Sequence, residues 1–172
     1  MLARGENAGL DLAMELLCEQ REKHPSVSFA DLIQMGNAVA LRLAGSPPIP
    51  MRYGRVDAVQ LTGASTPSAP ESGPQVALPE LTGSLAAKFT QLRALGLSMP
   101  HSLALLGDFQ NGFKNQGAVL VQDCAQLPSD CESQHIIFAK DELALTRDYV
   151  WAQSRRSEIG ARFQPELGVQ LD

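Results

Sequence analysis

Apolar residues recur at helical spacing in the first part of the chain. Leu10, Ala13, Met14 and Leu17 follow one another at i, i+3, i+4 and i+7, which places them on one face of an α-helix. Pro25 ends this helix, because proline cannot continue the hydrogen-bond ladder. Similar patterns recur along the chain, so the sequence predicts an all-α fold with little or no sheet.

Residues that favour helix ends predict four further helices. Ser28 followed by Asp31 resembles a capping box, and the helix that it opens ends at Gly45. Asp141 is expected to cap the last helix, which stops at Gly160. The helices after the second are predicted over residues of about 85–96, 98–107 and 141–160.

The chain length is sufficient for one domain. A chain of 172 residues buries about 70% of its unfolded surface in a single core and needs no metal or disulfide to fold. We therefore expect one helical domain over residues 1–172. A stretch rich in Pro, Ser, Thr and Ala at about residues 62–77 is predicted to be a surface loop. Residues 118–121, Ala-Val-Leu-Val, form the best strand candidate.

The charge balance excludes some classes of partner. The chain has 14 Lys and Arg against 19 Asp and Glu, and its only adjacent arginines are Arg155 and Arg156. Nucleic-acid binding normally requires clustered positive charge, so no nucleic-acid partner is expected. No apolar run reaches the roughly 18 residues that a membrane span requires. The chain is predicted to be soluble, or peripheral to a membrane complex.

The histidines show no catalytic or metal-binding pattern. His24, His101 and His135 form no His-x3-His or His-Glu-x-x-His pair, so no metal is expected. His24 is predicted to lie at a solvated helix end, and His101 to be exposed in the first turn of its helix. His135 lies near Cys131 and Asp130, but one Cys and one His are weak evidence for a metal or a thiolate.

The three cysteines are predicted to have different structural roles. Cys18 lies in the apolar stripe of the first helix and is expected to be a small core residue. Cys124 and Cys131 flank a turn-forming stretch that could bring them within bridging distance, so a disulfide is a candidate in an oxidising compartment. A reversible thiol sensor formed by this pair is the alternative, although no Lys or Arg adjoins either cysteine.

Several consecutive blocks are similar to ascorbate peroxidase, a class I plant-type haem peroxidase. The similarity includes Gly-Arg-Val-Asp at residues 54–57 and Leu-Pro-Ser-Asp at residues 127–130, in the family's order and spacing. The other similar blocks are residues 2–13, 25–32, 45–50, 96–98, 103–107, 148–149 and 157–160. The resemblance implies a partial haem-peroxidase helical fold that lacks the N-terminal distal helices.

The same resemblance identifies the family's site positions in this sequence. Phe109 stands at the position of the proximal histidine that ligates the haem iron. Asp130 matches the carboxylate that hydrogen-bonds this histidine, and Asn7 matches the asparagine that orients the distal histidine. The helix that carries the family's distal Arg, Trp and His lies upstream of the block that begins at Leu2. Alternatively, Asn7 caps the first helix and Asp130 caps or turns the segment after Ser129.

These departures imply a pseudoenzyme with no catalytic residues and no cofactor. Phenylalanine has no lone pair for iron, so haem of the family type is not expected. The retained helices would form a structural subunit of a larger protein complex. Haem-free ascorbate-peroxidase-like proteins of the thylakoid lumen suggest a photosystem-associated setting on the lumen side of the chloroplast thylakoid. The alternative is a haem-dependent ascorbate-type peroxidase, reducing hydrogen peroxide, with an incomplete N-terminus.

Overall fold

The computed structural model describes residues 9–57, 83–111 and 126–170, with side chains described up to Gly107 in the second range. The predicted loop at about 62–77, the predicted strand at 118–121 and Asn7 lie outside these residues. The helices are α1 (Asp11–Lys23), α2 (Phe29–Leu43), α3 (Leu85–Ala94), α4 (Met99–Asn111), α5 (Asp130–Lys140) and α6 (Glu142–Arg156). The strands are β1 (Arg52–Tyr53) and β2 (Val169–Gln170).

The all-α prediction is confirmed. The sheet consists of β1 and β2 alone in the described part of the chain, and these antiparallel strands pair Arg52 with Gln170 and Tyr53 with Val169. The α5 helix is not among the predicted helices. Its buried residues are Cys131, His135 and Phe138, and a histidine in this position interrupts the apolar pattern that predicts a helix.

The chain divides into two compact units. The first comprises Met1–Asn37, Arg52–Ala77 and Gly160–Asp172, and the second comprises Ala38–Met51 and Leu78–Ile159. The prediction of a single domain over residues 1–172 stays a prediction.

The second unit is held together by a helical core around α4, which packs against α3, α5 and α6. Leu103 and Leu105 of α4 and Tyr149 of α6 are completely buried, and the Tyr149 hydroxyl accepts a 2.9 Å hydrogen bond from Nε2 of Gln153. The remaining core residues are Phe89, Leu92, Leu97, Ala104, Leu106, Leu127, Cys131, Phe138, Ala144, Leu145 and Ala152. This core explains the apolar run at residues 103–106 of α4.

Local capping fixes where the helices of this unit begin. Asp141 Oδ1 accepts a 3.0 Å hydrogen bond from the backbone N–H of Ala144, so the predicted N-cap of α6 is confirmed. Ser84 caps α3 in the same way, through the N–H of Ala87. Gly96, which was expected to end the third helix, follows the last turn of α3 with a φ of +83°.

In the first unit, α1 lies against α2 through a narrow face. Met14, Leu17 and Arg21 are half-buried, and a Cβ added at Gly36 of α2 would lie 3.3 Å from Cδ2 of Leu17. Cys18 is exposed, so its prediction as a core residue is wrong. The reason is angular: Cys18 is one position further around the helix than Leu17 and lies beside the contact face. None of the helices in the described ranges is long and apolar enough to cross a membrane.

Candidate functional site

The structure places only one of the three predicted haem-site residues in full. Asn7 lies outside the described residues, and for Phe109 the structure describes the helical backbone near the end of α4 but not the side chain. Asp130 is exposed in the first turn of α5. A carboxylate is favourable there, because the N-terminal end of a helix carries partial positive charge. The roles predicted for these residues stay predictions.

The three histidines lie in different surroundings. His24 is exposed at the C-terminal end of α1, as predicted. His135 is buried on α5, and its Nε2 has no hydrogen-bond partner among the described residues. No group of three or more His, Cys, Asp or Glu side chains that could hold a metal ion occurs in the described ranges. Cys131 is buried on α5 while Cys124 lies outside the description, so the disulfide stays a prediction.

A buried ion pair joins α2 to the segment that follows β1. Arg55 Nη1 donates a 2.8 Å hydrogen bond to Oδ1 of Asp31, and the two side chains are only 3% and 6% exposed. Oδ2 of Asp31 also accepts hydrogen bonds from the backbone N–H groups of Gly54, at 2.7 Å, and of Arg55, at 3.2 Å. The carboxylate is therefore surrounded by donors, as a buried charge requires.

A second carboxylate from the same segment caps α2. Asp57 Oδ2 accepts from the N–H of Phe29 at 2.9 Å, and Oδ1 accepts from the N–H of Ala30 at 2.7 Å. Ser28 Oγ accepts from the N–H of Asp31 at 3.1 Å. Half of the predicted capping box is thus confirmed, but the Asp31 carboxylate contacts Arg55 and the backbone of this segment, and a distant aspartate completes the cap.

The Gly-Arg-Val-Asp segment also lies against the chain near residue 163. The Arg55 guanidinium is centred 5.0 Å from the ring centroid of Phe163. The N–H of Gln164 donates a 2.7 Å hydrogen bond to the Gly54 carbonyl. A cavity of about 470 Å³ opens here, bordered by Ser26, Tyr53 and Gln164 among others. The charges of Asp31 and Arg55 are satisfied by each other and by the backbone. This cluster therefore has a structural role, and it links α2 to the segment that follows β1.

The surface of α6 presents an aromatic pair that the sequence did not predict. The His101 ring of α4 stacks on Trp151 with centroids 4.5 Å apart and planes 18° apart. The expectation of an exposed and unremarkable His101 is therefore wrong: the ring is half-buried. This burial lowers the pKa of His101 below its usual 6.5; the Asp148 charge opposes the decrease, and the Arg147 and Arg155 charges add to it.

Trp151 lies between two arginines at helical spacing. Arg147, Trp151 and Arg155 stand at i, i+4 and i+8 on α6 and share one face, which we call the α6 stripe. The Arg155 guanidinium lies 5.4 Å from the Trp151 ring centroid. The spacing of the only tryptophan from two arginines is the signal by which the sequence could have identified this surface.

Comparison with known proteins identifies the class of the chain. A family model described as peroxidase matches residues 2–118. Since this match covers more than half of the chain, the chain belongs to the peroxidase family. It is an ascorbate peroxidase-like member of the plant haem peroxidases, as the resemblance of its sequence blocks predicted.

Two distant relatives match almost the whole chain. "Probable L-ascorbate peroxidase 8, chloroplastic" of Oryza sativa subsp. japonica is 28% identical over 99% of this chain and 45% of its own length. "L-ascorbate peroxidase T, chloroplastic" of Arabidopsis thaliana is 27% identical over 99% of this chain and 50% of its own length. The chain spans about half the length of these curated relatives.

Proposed function

We propose that this chain is a haem-free, non-catalytic member of the peroxidase family that acts as a structural or interaction subunit of a larger assembly. The observation that carries the proposal is Phe109, which occupies the position of the family's proximal histidine in the block at residues 105–112. A five-coordinate haem requires an axial donor, and a phenyl ring has no lone pair to bind iron.

The described histidines and Asp130 support this interpretation of the haem site. Asp130, which matches the partner of the proximal histidine, is exposed, and no described histidine is hydrogen-bonded to its carboxylate. Among the histidines, His24 lies exposed at the end of α1, His101 stacks on Trp151 and His135 is buried on α5. None of them stands at the ligand position. We therefore derive no reaction step through haem.

Exposed apolar side chains support an interaction role. Leu12 and Leu16 of α1 are more than half exposed, and Leu43 at the end of α2 is 84% exposed. Large apolar side chains that remain in water favour association, because covering them releases free energy of about 25 cal/mol per Å² of buried surface. A partner protein that covers the α1 leucines, or one that covers Leu43, would gain this free energy.

The proposed cellular setting is the chloroplast. Several relatives that match almost the whole chain are named as chloroplastic. We extend this proposal to the lumen side of the thylakoid and to a photosystem-associated complex, on the likeness to haem-free ascorbate-peroxidase-like proteins found there. The competing function is haem-dependent reduction of hydrogen peroxide by ascorbate, which family membership favours.

The visible absorption spectrum of the chain purified from its native source tests the haem-free proposal. We expect no intense haem absorption band near the edge of the ultraviolet when absorbance is normalised to protein. A stoichiometric band would support the competing function and would require a ligand other than Phe109. The material should also be fractionated by size, since a subunit is expected to elute with protein partners at constant stoichiometry; elution as the isolated chain would contradict the subunit role.

Replacing Phe109 with histidine tests whether the haem site has been lost. We expect Phe109→His to leave the protein without haem-dependent peroxidase activity. The matched control is Gln110→His, which adds the same imidazole at the neighbouring position on α4. If Phe109→His alone produced haem binding and peroxide reduction, the pocket would be intact and the proposed structural role would be contradicted.

A further inference from the structure

The α6 stripe combines exposed positive charge with an exposed indole. The Arg147 side chain is 74% exposed and the Arg155 side chain 57% exposed. Their carboxylate neighbours lie deeper: Asp148 is 13% exposed at 3.1 Å from Arg147, and Glu158 is 14% exposed at 3.6 Å from Arg155. In both ion pairs the guanidinium group is therefore the more exposed partner, and Arg147 and Arg155 present hydrogen-bond donors to solvent while their carboxylates are largely covered.

Trp151 supplies the apolar centre of this surface. It is 51% exposed, although His101 stacks on it and the Arg155 guanidinium lies over its ring. The stack holds the indole in one orientation, so little conformational entropy is lost when a partner covers it. Leu143, 81% exposed, lies one turn beyond Arg147 and about two turns from Trp151. Tryptophan and arginine are the residues that most often dominate binding energy at protein interfaces.

We propose that the α6 stripe is a docking surface for an acidic segment of a partner protein. Carboxylates of that segment would pair with Arg147 and Arg155, and an apolar side chain between them would cover Trp151. Eight residues of helix separate the two arginines by about 12 Å, which sets the spacing of the carboxylates. This inference rests on the proposed interaction role, because it names the surface and the chemistry of the partner.

The charge distribution favours a protein partner over a nucleic acid or an anionic membrane. The chain carries a net charge of −5, so a long polyanion would be repelled outside the stripe. Phosphate backbones are normally bound by several Lys and Arg that follow the strand. The stripe supplies two cations, spaced by two turns around an indole, which suits a short segment with two acidic clusters.

A peptide titration tests the proposal on the full chain. The probe is a synthetic peptide with two Asp-Glu clusters about 12 Å apart and a leucine between them; the control peptide carries Asn and Gln in place of the acids. Trp151 is the only tryptophan of the chain, so its fluorescence reports binding directly. We expect saturable binding of the acidic peptide alone, weakened by 0.5 M salt because screening reduces exposed charge pairing.

Paired variants locate the binding. The double substitution Arg147→Gln and Arg155→Gln should weaken binding at least tenfold. The matched control, Arg42→Gln with Arg162→Gln, removes the same charge from two other exposed arginines and should leave binding within twofold. Circular dichroism is used to check that both double variants are folded. Calorimetry with Trp151→Ala, which does not depend on the indole signal, should show a loss of similar size.

Several results would overturn the inference. These are the absence of saturable binding, equal binding of the neutral peptide, equal weakening by the control pair, and equal saturation by double-stranded DNA or phosphatidylglycerol vesicles. The haem spectrum remains independent: a haem band with intact peptide binding refutes the non-catalytic proposal alone. An absent haem band with no peptide binding refutes the docking surface alone.

Discussion

At the scale of single residues, the Asp31–Arg55 pair has the largest predictable effect on stability. Asp31→Asn retains the shape of the side chain but leaves the buried Arg55 without its counter-charge. We expect a loss of about 3–5 kcal/mol in the free energy of unfolding, the usual cost of breaking a buried pair from one side. Urea denaturation measures this loss. The control Asp11→Asn, at an exposed position of α1, should cost less than about 1 kcal/mol.

The His101 ring makes a pH-dependent contribution with a defined sign. Its pKa in the folded protein is lowered, chiefly by burial, so the unfolded chain binds this proton more readily. The contribution of His101 to stability is complete above pH 6.5 and decreases as the pH falls towards the lowered folded pKa. Proton NMR of the ring should give a midpoint below 6.5.

Trp151→Ala provides the matching test, because it uncovers the ring on one side. The His101 midpoint should rise towards 6.5 in this variant. A wild-type midpoint at or above 6.5, or one that Trp151→Ala leaves in place, would contradict the attribution of the lowered pKa to burial.

At the scale of elements, Gly54 determines how the segment after β1 meets the chain near residue 164. Its φ is +97°, and a Cβ there would lie 2.7 Å from the Gln164 carbonyl oxygen. Gly45 has a similar φ of +100° with no atom within 4 Å of an added Cβ. Both alanine variants incur the left-handed backbone cost of about 1–2 kcal/mol, but Gly54→Ala also incurs a steric clash.

We therefore expect Gly54→Ala to reduce the free energy of unfolding by about 1–3 kcal/mol more than Gly45→Ala, the range usual for overpacking. Urea midpoints of the two variants, measured side by side, test this difference. Equal losses of unfolding free energy would mean that the Gln164 backbone moves aside at little cost. The close approach would then not constrain how the segment after β1 packs against the chain near residue 164.

The ends of the helices were the features most readily predicted from the sequence. Asp141, Ser28 and Gly96 occupy the ends that their chemistry favours, because capping depends on residues only a few positions apart. The α5 helix was not predicted, because its buried face includes His135 and carries no continuous apolar stripe.

At the scale of the whole molecule, the family and the helical class follow from the sequence, but the function depends on a few positions. The peroxidase model matches residues 2–118. We propose that Phe109, within that range, stands where the family has its proximal histidine. Under the proposed function, family membership and peroxidase activity would be separate properties in this chain. The visible spectrum tests whether the chain binds haem. The peptide titration tests whether the α6 stripe binds an acidic partner segment.

Five of the six described helices, several of their ends and the likeness to ascorbate peroxidase could be predicted from the sequence, since these rest on local spacing and on ordered blocks of residues. The tertiary structure decided which side chains meet across long separations. In the folded protein Asp31 pairs with Arg55, Asp57 caps the start of α2 and His101 stacks on Trp151, while Cys18 is exposed to solvent. Such contacts depend on how whole elements pack. Periodicity along one helix shows which of its faces is apolar, but it carries no information about which element packs against that helix.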